Sequence, residues 1–277
     1  MASDTNPGLR ETVAILGAGV MGETLLAGVL RAGWTPERVL IAERRPDRAA
    51  ELHERYGVRV VDNVEAARQG ETLLVVVKPQ DIDAVLTEVR DVLDPGTLVV
   101  SVAAGVSTQR VENQLPPGTP VVRVMPNTPA LVNQGMAAIS PGSHCTDGHL
   151  ARTRALLEAT GRVVEVPEYS QDAVTAVSGS GPAYVFYLAE ALIEAGILVG
   201  LPRPTATELA VQTLYGAATM LRERGDHPGL AREQVSSPAG TTIAALRVLD
   251  QRAVKAAVMD AVEAARDRSK QLARGDG

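Results

Sequence analysis

The chain has 277 residues, with 27 Lys and Arg against 33 Asp and Glu, a formal net charge of −6 at pH 7 and a pI near 5.4. That acidic balance excludes a basic nucleic-acid footprint over the surface, and one Phe, one Trp and five Tyr are too few to stack single-stranded bases. The single cysteine, Cys145, excludes an internal disulfide framework and a cysteine-based zinc site. No metal is implied.

Residues 1–10 are polar, carry Pro7 and Gly8, and read as a flexible tail without the apolar stretch of a signal peptide. No uninterrupted apolar run approaches the roughly 18 residues of a membrane helix, so a cytoplasmic protein without a membrane partner is expected. Short Val-rich runs follow at Val13–Leu16, Val39–Ala42, Val58–Val61, Leu73–Val77, Leu98–Val102 and Val121–Val124. They are nearly continuous rather than alternating, as in strands buried on both faces of a parallel sheet. Helix-like segments lie between them, at Glu23–Ala32, Pro46–Tyr56 and Ile82–Val92. The repetition predicts a doubly wound α/β domain over residues 11–167.

From about Glu168 the strand signal stops. Ala183–Val199, Pro204–Arg224, Ile243–Leu249 and Ala253–Leu272 carry helical spacing, so residues 168–277 read as an all-α domain. Helices this apolar in so small a domain are expected to bury surface against another subunit, with a self-contained bundle as the alternative.

Gly17-Ala18-Gly19-Val20-Met21-Gly22 is a G-x-G-x-x-G placed directly after the first strand and opening a helix. Its glycines suit a tight turn, close approach of backbone to a pyrophosphate, and close helix-strand packing. A dinucleotide is therefore expected. Glu43 follows the second strand about 20 residues on, where an acidic residue would hold a ribose 2′-hydroxyl. Arg44 and Arg45 come next, and guanidinium groups there suit a 2′-phosphate. The two signals compete; the paired arginines favour NADP(H) and leave NAD(H) open. Three further polar loops follow strand ends, Val77-Lys78-Pro79-Gln80, Ala103-Ala104-Gly105 and Met125-Pro126-Asn127-Thr128-Pro129, and ring one crevice.

In the second half, Ser178-Gly179-Ser180-Gly181-Pro182 and Val235-Ser236-Ser237-Pro238-Ala239-Gly240-Thr241-Thr242 each precede a helix. Such hydroxyls and free amides suit a carboxylate, and on their own read more simply as N-caps. The four histidines are scattered and suggest no acid or ligand cluster. Hydride transfer needs none if the substrate is an activated imine.

Together these segments, in this order, resemble pyrroline-5-carboxylate reductases over nearly the whole chain beyond residue 10; Val235–Leu246 matches the family signature. The resemblance implies a Rossmann domain followed by an all-α dimerisation domain, dimers that often build a ring-shaped decamer, and reduction of 1-pyrroline-5-carboxylate to L-proline with NAD(P)H. It implies cofactor contacts from Gly17, Gly19, Val20, Met21, Gly22, Arg44, Arg45, Asn63, Val77, Lys78, Pro79 and Ala104. For the substrate it implies Glu168 near the ring nitrogen, with Ser236, Ser237, Gly240, Thr241 and Thr242 receiving the carboxylate and ring. Thr242 would be the catalytic hydroxyl, nearest the imine nitrogen. Gln234 and Thr241 depart from relatives that have Asn and Ala there.

Other readings remain. A β-hydroxyacid enzyme would carry a lysine on the first long helix of the α domain, and Ala183–Val199 has none. A non-catalytic NADP(H) sensor would keep the glycine loop and lose the Ser-Thr loop, and both are present; a reductase of another cyclic imine is the further alternative. Cys145 reads as an isolated surface thiol.

Overall fold

The computed structural model describes residues 11–274; the expected tail at 1–10 lies outside the described residues. The chain divides into two compact units, Met1–Gly179 with Ala265–Gly277, and Ser180–Ala264.

The first unit is built on a sheet with strands β1 (Val13–Leu16), β2 (Val39–Ala42), β3 (Arg59–Val61), β4 (Thr72–Val75), β5 (Leu98–Ser101), β6 (Val121–Met125), β7 (Gly135–Pro141) and β8 (Gly161–Glu165). Their spatial order is β3-β2-β1-β4-β5-β6-β7-β8, parallel throughout except where β7 runs against β6. Helices α1 (Val20–Arg31), α2 (Pro46–Tyr56), α3 (Asn63–Gln69), α4 (Ile82–Val89), α5 (Thr108–Glu112), α6 (Asp147–Glu158) and α7 (Gln171–Val174) connect or follow the strands. The sequence reading found the first six strands and missed β7 and β8.

Alternation along β1 explains why its run is apolar throughout. Val13 and Ile15 join Leu25, Leu26, Leu156 and Leu157 on one face, whereas Ala14 and Leu16 join Ile82, Val85 and Leu86 on the other. Both faces are covered, so no position along β1 is free to be polar. At the sheet edge, Arg59 of β3 is exposed and Val60 and Val61 are only half-buried.

The second unit holds α8 (Gly181–Leu198), α9 (Arg203–Arg224), α10 (Pro228–Gln234), α11 (Thr241–Gln251) and the start of α12 (Val254–Arg274). Helices α8 and α9 cross where a methyl on Gly196 would press on Ala206, so small residues set their approach. Within one chain α8, α10 and α11 bury no residue, and α9 buries only Ala206 and Ala210. Phe186 is 67 % and Tyr187 76 % exposed. An apolar surface of this extent is far larger than the scattered exposure of a monomer.

One stretch qualifies the expectation that no segment could cross a membrane. An 18-residue window within Glu168–Leu198 reaches a mean hydropathy of 1.3, which fits a span by length and composition alone. A count of uninterrupted apolar residues passes over it, because Glu190 and Glu194 lie within α8. The stretch also begins as a short 3₁₀ turn and contains a π turn at Thr175–Gly179.

The compact division at Gly179 comes later than the change in sequence pattern at 168. Helix α7 and the π turn stay with the sheet: Gln171 is fully buried and donates through Nε2 to Ser140 Oγ at 2.7 Å. Asn127 Nδ2 donates to the Ser178 carbonyl at 3.1 Å, while its Oδ1 accepts from Met136 N. The end of α12 belongs to the same unit, with Ser269 Oγ donating to Asp172 Oδ1 at 2.7 Å.

Candidate active site

Strands β2 and β3 lie on one side of β1 and β4 on the other, so the chain reverses direction across the sheet between β1 and β4. A crevice opens at such a point beyond the carboxyl ends of the strands. Here it is a cleft of about 390 Å³, with Gly17, Gly19, Arg44, Arg45, Asn63, Val77 and Lys78 on its walls. Seven residues expected to meet a cofactor are thus brought together. Val20, Met21 and Gly22 begin α1, Pro79 starts the short turn after Lys78, and Ala104 is exposed on the loop after β5. Gln80, Asp81 and Val85 also line the cleft. Gln80 adjoins the Val77-Lys78-Pro79 segment, but Asp81 and Val85 carried no signal beyond following it.

The three glycines do different jobs. Gly17 has φ +99°, and a Cβ there would stand 2.6 Å from the Val76 carbonyl oxygen. A Cβ on Gly22 would collide with the Gly17 carbonyl, so helix α1 can touch the turn only without a side chain. Gly19 is different: nothing in the chain lies within 4 Å of where its Cβ would be. Packing does not require glycine at that position, whereas a ligand approaching the backbone does. Gly19 is the N-cap of α1 and no side chain satisfies the first amides of that helix. Free amides beside an open cleft fit a dinucleotide's pyrophosphate.

Glu43 occupies the position that could hold a ribose, but its carboxylate turns back on its own loop. Oε1 accepts from the Arg45 amide at 2.9 Å and from Arg45 Nε at 3.3 Å. Burial opposes its ionisation, yet the hydrogen bonds from the Arg45 amide and guanidinium, with Arg45's charge and the Arg44 amide, outweigh it and hold the carboxyl below its usual range. Asn63, the first residue of α3, lines the cleft while its Nδ2 donates to Glu88 at 2.8 Å.

Glu168 lies in a polar cluster of the sheet unit. Oε1 accepts from the Thr108 amide at 2.7 Å and from Arg123 at 3.3 Å, and Oε2 accepts from Thr108 Oγ1 at 2.7 Å. Both oxygens are therefore engaged, one of them by an arginine on β6 that is 8 % exposed. The sequence carried no sign of Thr108 or Arg123 as partners, because they come from other elements far along the chain.

The Ser-Thr loop lies in the helical unit. Its hydroxyls are not caps, contrary to the simpler reading of the sequence. Gly240 is the N-cap of α11 with φ −75° and ψ 172°, and no side chain caps that helix; Ser180, before α8, makes no cap bond either. Ser236 Oγ instead donates back to the Arg232 carbonyl at 2.6 Å, and the Gly240 amide donates to Ser237 O at 3.0 Å. A Cβ on Gly240 would meet Ser237 Oγ, which can rotate away, and lie 3.1 Å from the Ser237 carbonyl oxygen, so the turn is tight at this position. Thr241 and Thr242 then stand on the first turn with its uncapped amides. Gln234, where some relatives have Asn, accepts from Arg224 at 3.0 Å.

The remaining candidates take structural roles. His149 completes a capping box with Thr146, His227 caps α10, and His53 Nδ1 meets the Val58 carbonyl at 2.9 Å. Cys145 is half-buried rather than on the surface: Sγ donates to the Val121 carbonyl at 3.0 Å, and burial pushes its thiol pKa up.

Comparison with known proteins accords with this geometry. A pyrroline-5-carboxylate reductase from Corynebacterium melassecola is 44 % identical over 95 % of this chain and 99 % of its own. The chain belongs to the pyrroline-5-carboxylate reductase family. Residues 168–272 match the family model for pyrroline-5-carboxylate reductase dimerisation, and residues 12–105 match that for NADP oxidoreductase, coenzyme F420-dependent. The pyrroline-5-carboxylate reductase of Coxiella burnetii superposes with a TM-score of 0.91 at 33 % identity, covering 95 % of this chain and 98 % of that one. A Plasmodium falciparum pyrroline carboxylate reductase with NADP bound superposes at 0.84 and 28 % identity, with the same coverage. The apolar helices exposed in a single chain lie inside the dimerisation match, so their surface belongs to self-association. The expected fold class, a mostly parallel Rossmann sheet followed by helices of a dimerisation family, is the one observed.

Proposed function

We infer that the chain is a pyrroline-5-carboxylate reductase, an oxidoreductase that reduces the cyclic imine of 1-pyrroline-5-carboxylate to L-proline with NAD(P)H. Family membership over nearly the full length carries the substrate, and the open space at Gly19 beside the uncapped α1 carries the dinucleotide. The chemistry such a cofactor supplies is hydride for the imine carbon. Gly17, Gly19 and Gly22 shape the turn, and the amides at the start of α1 hold the pyrophosphate. NADPH is the preferred form and NADH is accepted. That preference is supported by the way Arg45 engages the Glu43 carboxylate, which leaves the exposed Arg44 guanidinium for a 2′-phosphate.

On the helical unit, the first amides of α11 receive the substrate carboxylate. The Thr242 hydroxyl orients the imine nitrogen and its proton, which keeps the carbon electrophilic. Glu168, whose carboxylate is held by Thr108 and Arg123, is by the family resemblance the residue proposed near the ring nitrogen. A dimer is the minimal assembly in this reading, with a decamer as the higher one, and the enzyme works in the cytoplasm, where a lone thiol stays reduced.

The test is loss of reduced-nicotinamide absorbance with 1-pyrroline-5-carboxylate, run in parallel with NADPH and NADH, and L-proline measured as product. Turnover with NADPH favoured is expected. Protein that binds NADPH but turns over neither cofactor would overturn the substrate assignment, and favour for NADH would overturn the role given to Arg44 and Arg45.

A further inference from the structure

Beside the glycine turn, two arginines of α2 meet the same two carboxylates. Arg48 pairs with Glu23 through Nη2 and with Glu51 through Nη1 at 2.6 Å. Arg55 pairs with Glu23 at 2.5 Å and with Glu51 at 2.6 Å. Tyr56 donates its hydroxyl to Glu23 Oε1 at 2.9 Å. Burial resists ionisation of Glu23, and the hydrogen bonds from Arg48, Tyr56 and Arg55 overcome it and hold the carboxyl below its usual range. The two arginines differ in their remaining contacts and in exposure. Arg48 Nε reaches the Ala18 carbonyl at 3.4 Å, whereas Arg55 lies over the Tyr56 ring. The Arg48 side chain is 15 % exposed and Arg55 51 %.

The Ala18 carbonyl belongs to the peptide that also carries the Gly19 amide. In a planar trans peptide those two groups point in opposite directions. A donor that holds the carbonyl toward α2 therefore turns the Gly19 N–H the other way, out of the ionic cluster. Gly19 is the residue whose surroundings are open, and it lines the cleft. A turn rich in glycine has little stiffness of its own, so an outside contact decides the orientation of this peptide.

We propose that Arg48 is a positioning residue for the dinucleotide site: it anchors the Ala18–Gly19 peptide from behind and aims the Gly19 amide at the cofactor's pyrophosphate. This rests on the cofactor reading given above. Pyrophosphate is common to NADPH and NADH, so the effect is blind to the 2′-phosphate and separates Arg48 from Arg44 and Arg45. The carboxylates remain paired if either arginine is lost, because each meets both, and Arg55 is thus a matched control within the same cluster.

Arg48→Met and Arg55→Met are compared with wild type by calorimetric titration of NADPH and NADH, by kcat and KM, and by thermal melting. In Arg48→Met the Kd and KM for both nucleotides rise by roughly tenfold, the scale of one oriented hydrogen bond to a charged group. The ratio between the two nucleotides and the kcat at saturation stay within about twofold to threefold. Arg55→Met melts lower but binds both nucleotides as wild type does. Unchanged nucleotide affinity in folded Arg48→Met overturns the proposal, as does an equal loss in Arg55→Met or a loss confined to NADPH. If Arg48→Met does not fold, Arg48→Lys decides: it keeps the charge but lacks the planar fork, and wild-type affinity in that variant overturns the proposal equally. Wild-type protein that binds neither nucleotide refutes the cofactor assignment itself, and that failure is seen before any variant is made.

Discussion

Replacing Gly19 by Ala separates packing from ligand binding at one atom. Its backbone, at φ −65° and ψ −172°, is ordinary extended geometry for alanine, and nothing stands within 4 Å of the new methyl. The fold therefore loses no contact, and a less flexible unfolded chain contributes about 0.4–1 kcal/mol of stability. The methyl nonetheless projects into open space beside the cleft, where a pyrophosphate would approach the amide. Loss of one or two charge-assisted hydrogen bonds costs about 1.5–3 kcal/mol each, so NADPH affinity should fall by about ten- to a hundred-fold or more. Gly22→Ala is the counterpart, since its methyl strikes the Gly17 carbonyl and must push α1 off the turn. That overpacking costs about 1–3 kcal/mol or more and should lower the melting temperature directly. Melting curves of both variants, with and without saturating NADPH, read the two effects together. Gly19→Ala should melt at or above wild type without nucleotide and lose most of the shift that nucleotide produces. A variant that melts normally and retains the full NADPH shift would refute the assignment of Gly19 to the cofactor.

Other expectations follow from the same geometry. Thr242→Ala should lower kcat by about tenfold or more while leaving the Kd for NADPH unchanged, measured by steady-state kinetics beside direct titration; unchanged kcat removes the hydroxyl from the reaction. Cys145 should react with a disulfide reagent at mildly alkaline pH at least about tenfold more slowly in native than in denatured protein, because its thiol is half-buried with a raised pKa. Glu23 and Glu43 both have carboxyls held below the ordinary value of 4.5. Their contribution to stability is present above that value and lost as pH falls through the lower folded-state values, so melting temperature should fall below about pH 4.5, and less so in Glu23→Gln and Glu43→Gln.

Much of the sheet unit could be read in advance because its chemistry is local. Strands buried on both faces advertise themselves as Val-rich runs, and Gly17–Gly22 follows such a run at once. Strands β7 and β8 gave no such run. Three of the five residues in Gly135-Met136-Ala137-Ala138-Ile139 are alanine or glycine, and β8 is the outer strand with Arg162, Val164 and Glu165 exposed. The helical unit was legible as helices, while its exposed apolar surface makes sense only with a second chain. What stayed hidden were partnerships between distant segments. Glu168 with Thr108 and Arg123, Asn127 with Ser178, and Arg48 with Ala18 each join residues that no spacing rule links. The caps failed for a different reason: Ser and Thr near a helix start satisfy a capping pattern, but Gly240 takes the N-cap position itself and leaves the hydroxyls for other work.

Helix α12 starts in the helical unit, yet its final turns belong to the sheet unit, where Ser269 meets Asp172 and a methyl on Gly105 would touch Ala273. The sheet unit is thus interrupted in the chain, and synthesis delivers its parts out of spatial order. All eight strands leave the ribosome before any of the helical unit, so the nucleotide cleft can form on the nascent chain. The corner at Ala103-Ala104-Gly105 waits until residues 265–274 have been made. A ribosome stalled within α12 would hold a chain with a complete glycine turn, a complete Ser-Thr loop and a corner loop that still lacks its backing.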